Sequence, residues 1–211
     1  MKPIRITLEK LLLGPAIMLL VAACTGAAPP EPIFFDIAAW DSGIRTIALT
    51  EVSYAPRYQP PTDYDLERDL RIFLRRELER KGYQVVVVGD EWNRPNTDKQ
   101  SAEQLVANVP TEADAAVALH VDFLFLPSTL GETNPPPSAE IAAEARLITR
   151  EPVREIWRDW ADATAGGAGG WPVASRLFLY QQAVQELADR LFDTLPDAGK
   201  AVAGDRVRSE E

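Results

Sequence analysis

The chain has 211 residues, 46% hydrophobic and 26% charged, and its 32 acidic against 22 basic side chains leave a net charge of −10. That acidity argues against nucleic acid and against broad contact with anionic lipid headgroups, both of which want basic faces. One Cys and one His leave no intrachain disulfide and no zinc site of usual composition.

The first segment reads as a secretory signal over 1–23. Lys2, Arg5 and Lys10, offset by Glu9, precede Leu11–Ala23 (LLLGPAIMLLVAA), an uncharged apolar run of thirteen. A helical membrane span needs about 20 apolar residues, so this run is short for a permanent anchor. Basic start, short apolar run and small-residue exit together mark a signal peptide. The lone cysteine stands at that exit. Val21-Ala22-Ala23-Cys24 resembles the lipobox of bacterial lipoproteins. The resemblance implies cleavage between Ala23 and Cys24 and acyl chains, palmitate among them, on Cys24. It also implies export to the outer membrane, because Thr25 rather than Asp follows the cysteine. Each buried methylene contributes about 0.8 kcal/mol, so several acyl chains hold a protein at a bilayer almost irreversibly. The plainer alternative is an ordinary signal peptide with a cysteine near its end by chance.

Residues 24–43 follow as the lipidated cysteine and a linker, small and Pro-rich in Thr25–Pro32 (TGAAPPEP) and therefore extended. Ile33–Trp40 is apolar but irregular and reads as a docking segment. A single domain is expected over 44–195. Ile44–Val52 (IRTIALTEV) is its first strand, β-branched and bounded by Gly43 and YAPRYQPP. Leu66, Leu70, Phe73, Leu74 and Leu78 then form one stripe at helical period. Thr62 or Asp63 is the expected cap, and Gly82 the stop. Tyr83–Val88 (YQVVVV) reads as a buried central strand. After a loop at 89–98, Lys99–Asn108 reads as a short helix and Ala115–Leu126 (AAVALHVDFLFL) as a strand.

Beyond the GETNPPP turn, Ala139–Thr149 has helix-forming Ala and Glu but alternates apolar and polar side chains, which predicts a strand. Arg150-Glu151-Pro152 turns it into an antiparallel partner, Val153–Asp162. GGAGG at 166–170 is a link to a last helix, Ser175–Leu195, with Tyr180, Val184, Leu187, Leu191 and Leu195 on one stripe and Pro196 as its end. Residues 196–211 read as a disordered tail. The fold class is α/β (α+β): a two-layer sandwich in the order β-α-β-(α)-β-β-β-α. About five strands form a mixed sheet with helices on one face.

Catalytic signatures are absent: the sequence holds no GxSxG, GxGxxG, Walker loop or HExxH. Strict alternation along the AAVALHVDFLFL strand puts Val117, Leu119, Val121, Phe123 and Phe125 on one side. Ala116, Ala118, His120, Asp122 and Leu124 fall on the other. If Glu144 and Arg146 share that second side, His120, Asp122, Glu144 and Arg146 make a polar patch. It reads either as a solvated sheet face with charge pairs or as a binding surface. Trp157 and Trp160 are core aromatics by default, and a partner interface if exposed. No catalytic residue, metal or cofactor is predicted.

IRTIALTEV, LRRELERKGYQVV, ADAAVALHV and ARLITREPVREIWRDWAD, with its Ile156-Trp157 pair, resemble the domains of the curli-secretion lipoprotein and of the lipoprotein activators of penicillin-binding proteins. The resemblance spans about residues 44–195, and the Pro-rich YAPRYQPP loop departs from it. It implies a non-enzymatic accessory or scaffold protein, lipid-anchored on the periplasmic face of the outer membrane and bound to another envelope protein. Two alternatives stand beside it: a component of lipid or lipopolysaccharide transport that binds an apolar ligand, and an envelope hydrolase using carboxylates.

Overall fold

Two apolar stripes pack one face of a sheet and set the architecture. The computed structural model describes residues 30–58, 64–88, 99–126, 138–166 and 176–200. Helix α1 (Leu66–Arg80) buries Leu66, Leu70, Leu74 and Leu78, with Phe73 partly buried beside them. Each fully buried leucine contributes about 1.5–3 kcal/mol, more than any single difference in helix propensity. The cap is Asp65, two or three residues later than predicted, and its carboxylate accepts the Arg68 N–H at 3.0 Å. Gly82 ends the helix as expected. At φ +91° its N–H bonds Glu79 O at 2.9 Å, while Tyr83 N–H bonds Leu78 O at 3.1 Å. This bond pair needs a left-handed residue between helix and strand.

Six strands form one sheet among the described residues, in the order β1-β6-β5-β4-β2-β3. They are β1 (Phe34–Phe35), β2 (Thr46–Tyr54), β3 (Gln84–Val87), β4 (Ala115–Phe125), β5 (Ser138–Arg150) and β6 (Val153–Gly166). The α1 crossover makes β2 and β3 parallel, and β4, β5 and β6 are an antiparallel meander. Alternation outweighs composition in β5, which is a strand despite its alanines and glutamates. The β5–β6 turn contains a cis Glu151-Pro152 bond. Helix α3 (Arg176–Leu191) lies beside α1 and buries Tyr180, Val184, Leu187 and Leu191. The two-layer sandwich is thus as expected, with one strand more than the five.

The structure departs from the sequence reading elsewhere too, and the last helix ends at Leu191 rather than Leu195. First, β1 lies in the segment taken as linker and pairs Phe34 with Arg158 and Phe35 with Trp157. The fold therefore begins ahead of residue 44, and Trp40 is buried against Phe35 at 5.4 Å between rings. Second, β3 is an edge strand, not a buried central one: Gln84 and Val87 are exposed and Val85 and Val86 are half-buried. Third, the short helix α2 (Ala102–Ala107), closed by a Ser101–Gln104 capping box, does not join α1 and α3. It packs Leu105 and Val106 on Ala118 and Ile148. Those two positions alternate with the residues under α1 and α3, so α2 covers part of the opposite face.

Fourth, Asp122 is an extra residue. Val121 pairs with Ala143 and Phe123 with Ala142, so two steps on β4 match one on β5. This bulge reverses the facing of everything after it. Leu124 turns into the core, and Phe123 and Phe125 turn out, the reverse of the predicted sides. Finally, Pro196–Lys200 is docked, so any disordered tail begins later than 196. Ala198 N–H bonds Lys81 O at 2.8 Å, Tyr83 Oη donates to Pro196 O at 2.7 Å, and Lys81 Nζ donates to Leu195 O at 2.8 Å. Residues 1–29, Cys24 included, the loop at 89–98 and the GETNPPP turn lie outside the described residues.

One half-buried polar chain fastens the turn after α3 to the meander. Trp157 Nε1 donates to Thr194 Oγ1 at 3.0 Å, and Thr194 donates to Asp159 Oδ2 at 2.6 Å. The other Asp159 oxygen accepts the Trp160 N–H at 2.8 Å. Thr194→Val leaves an indole N–H without an acceptor and a buried carboxylate short of a donor, at a cost of about 1–3 kcal/mol. Urea unfolding is expected to show that loss in Thr194→Val and most of it restored in Thr194→Ser. Equal stability of the two variants contradicts the assignment.

Candidate functional site

The predicted patch is real as a neighbourhood. β4 and β5 place His120 opposite Glu144, β6 places Trp160 opposite Glu144, and β2 places Ser53 opposite His120. These four make one row across the face that α1 and α3 leave free. Asp122, carried round by its bulge, still lies 3.7 Å from His120 Nε2 through Oδ1. Arg146 stands one row along, opposite Ala118 and Arg158.

Sequence reasoning missed four contributors. Lys99, from the chain ahead of α2, reaches Glu144 Oε1 at 3.1 Å and Asp122 Oδ1 at 3.9 Å. Arg158 lies 4.0 Å from Glu144 Oε2 and holds Glu155 at 3.0 Å. Arg146 lies 3.7 Å from Glu155 and donates to Gln100 O at 2.8 Å. Ser53 Oγ is 2.7 Å from His120 Nδ1. Arg158 shares a side with Trp160 by β6 alternation, but Glu155 joins it only through an extra residue at Ile156, where two steps on β6 match one on β5. Lys99 gave no local signal, and Ser53 was hidden by an extra residue in β2 between Leu49 and Val52.

The network balances itself. Lys99, Arg146 and Arg158 meet Asp122, Glu144 and Glu155, three charges of each sign, so it presents no net charge to a ligand. Ser53, His120 and Asp122 share the composition of a hydrolytic triad but not its access. Ser53 is buried and its hydroxyl also lies 3.2 Å from Leu119 O. The cleft lined by Ser53, His120 and Arg146 is about 10 Å³, room for one water at most. A scissile carbonyl cannot enter it.

A notch of about 660 Å³ lies beside the β5–β6 turn. Its polar groups already hold the fold. Asp114 Oδ2 accepts the Arg45 and Thr46 N–H groups at 2.9 and 2.8 Å, Arg150 donates to Pro110 O at 2.9 Å, and Arg154 pairs with Asp36. Its rim is charged, which suits no apolar ligand. Among the described residues, no group of three or more His, Cys, Asp or Glu is placed to hold a metal ion.

No protein-family model matches the sequence. No curated protein is significantly similar to it. Among solved structures, the chain is similar to a PelC dodecamer from Paraburkholderia phytofirmans at 12% identity and a TM-score of 0.47, covering 81% of this chain and 96% of that one. It is similar to a lipoprotein from Neisseria meningitidis at 15% identity and a TM-score of 0.43, covering 69% and 99%. A minor lipoprotein from Acinetobacter baumannii is similar at 14% identity and a TM-score of 0.34, covering 70% and 87%. At TM-scores under 0.5 these likenesses bear on no functional argument.

The lone imidazole reports on the network. Burial first, then the Lys99 charge, holds the His120 pKa below its ordinary 6.5, against the opposing pull of Asp122 and Glu144. Just below pH 6.5 the unfolded chain takes up a proton that the folded chain refuses, so stability falls as pH drops through that region. An NMR titration of the one histidine is expected to give a midpoint under 6.5, raised by Lys99→Met. The pH slope of stability should shrink in His120→Gln. A wild-type midpoint at or above 6.5, or one indifferent to Lys99, contradicts this picture.

Proposed function

We propose that the chain is a lipid-anchored, non-enzymatic accessory protein of the bacterial envelope. Acyl chains on Cys24 hold it at the periplasmic face of the outer membrane, where it binds another envelope protein. The observation that carries the reading is Val21-Ala22-Ala23-Cys24 at the exit of a thirteen-residue apolar run with a basic start. The residues around it fit: Thr25 in place of Asp favours the outer membrane, and an acidic body needs a tether to stay at a membrane surface that does not attract it.

The accessory role draws its support from the site. The polar row is closed by its own ion pairs, and the Ser53–His120 cleft has no room for a substrate. The charged rim of the 660 Å³ notch weighs against the lipid-transport alternative.

Metabolic labelling with a fatty-acid probe tests the anchor. Wild type is expected to carry the label and Cys24→Ala to lose it, with the variant retained in unprocessed form. Equal labelling of the two ends the reading. Mild crosslinking in native membranes then asks for the partner: one defined envelope protein is expected, and bound lipid without protein favours transport instead.

A further inference from the structure

Where the chain enters the fold, it leaves apolar side chains in the open. Ile33 is 62% exposed, Phe34 37% and Ile37 50%. β1 lays Phe34 beside Arg158, and two residues further along the same face of β6 stands Trp160, 44% exposed. Ile37 sits on the turn after β1, which is fastened by Ala39 N–H to Asp36 Oδ1 at 3.1 Å and Asp36 N–H to Ile156 O at 2.9 Å. These hydrogen bonds fix the turn that carries Ile37 against β6.

The charges among them are paired. Asp36 is matched by Arg154 and Glu155 by Arg158, and the Arg158 guanidinium lies over the Phe34 ring at 5.9 Å. Aromatic and aliphatic side chains interleaved with arginines suit the boundary between headgroups and acyl chains, where a ring sits flat and a guanidinium reaches phosphate.

The tether says what lies next to this edge. Cys24 and Ile33 are nine residues apart, and nine residues in any conformation span at most about 32 Å. An acylated Cys24 therefore keeps Ile33 within that distance of the bilayer surface at all times. The bilayer is the apolar surface that chain length alone keeps within reach. We infer that the edge formed by Ile33, Phe34, Ile37 and Trp160 rests in the headgroup layer of the membrane that holds Cys24. This orients the domain, turning the β1–β6 edge down and the helical layer away. The inference rests on the anchor reading above. The contact is shallow, since Glu31 lies two residues before Ile33.

The test uses the full chain, acylated and reconstituted into vesicles of phosphatidylethanolamine and phosphatidylglycerol. With Cys24 acylated, Ile37→Cys supplies the one free thiol for a nitroxide. Ile72→Cys, on α1 at a site 52% exposed, is the control. The ratio of collisions with oxygen to collisions with a water-soluble nickel complex is expected to be roughly threefold higher at position 37 than at 72, as for a group at the boundary between headgroups and acyl chains. Equal ratios on a chain whose mass shows acylation overturn the docking and leave the anchor standing. Protection at 37 that appears only when other envelope proteins are added overturns it in favour of a protein partner. A chain with no acyl group overturns the anchor, and the docking with it.

Discussion

The structure depends on one constraint: a single face of the sheet has a full helical cover. α1 and α3 together present Leu66, Leu70, Leu74, Leu78, Tyr180, Val184, Leu187 and Leu191. These meet Ile47, Leu49, Val117, Leu119, Leu147 and Trp157 from the strands. Side-chain burial on that scale is what holds a chain without disulfides. Among the described residues, the other face is covered by the six-residue α2 and by Val109 and Ala113, which pack on Ala48 and Ala116. Its remaining positions must therefore be small, paired by charge or open to the surroundings, and they are: Ala118 under α2, the Lys99–Glu144–Arg158 network in the middle, and Trp160 and Phe34 toward the edge.

That asymmetry explains why the polar row resembles a site and is better understood as a sheet face kept in register. Ion pairs at half-exposed positions contribute little each. Their effect here is to satisfy carboxylates that a more apolar face would leave stranded. His120 belongs to the same scheme, with Ser53 on one ring nitrogen and Asp122 near the other. Burial and the Lys99 charge hold its pKa below the ordinary value.

Much of this was legible in the sequence where a period repeats. The stripes of α1 and α3 declared themselves through spacing. Gly82 announced its stop through the one conformation glycine adopts cheaply, and β5 overruled its own composition through alternation. Single-residue events were not legible. The bulge at Asp122 changes no local preference, yet it reverses Phe123, Leu124 and Phe125. β1 is two residues long and exists only because β6 offers an edge. The candidate patch was half legible: alternation gave His120, Asp122, Glu144 and Arg146, but Ser53 and Lys99 arrive from chain segments whose approach is fixed by tertiary packing.

The fold is a domain with one helix-covered face and with Ile33, Phe34 and Ile37 exposed where the described chain begins, and the proposed anchor, Cys24, precedes Ile33 by nine residues. Everything functional in that description hangs on the chemistry of one sulfur. The most direct measurement is the intact mass of the protein extracted from native membranes, with fragmentation of its first residues. The account predicts a chain that begins at Cys24, with a diacylglyceryl thioether on the sulfur and an acyl group on the new amino terminus. An unmodified thiol at Cys24, or a chain that still carries residues 1–23, contradicts it.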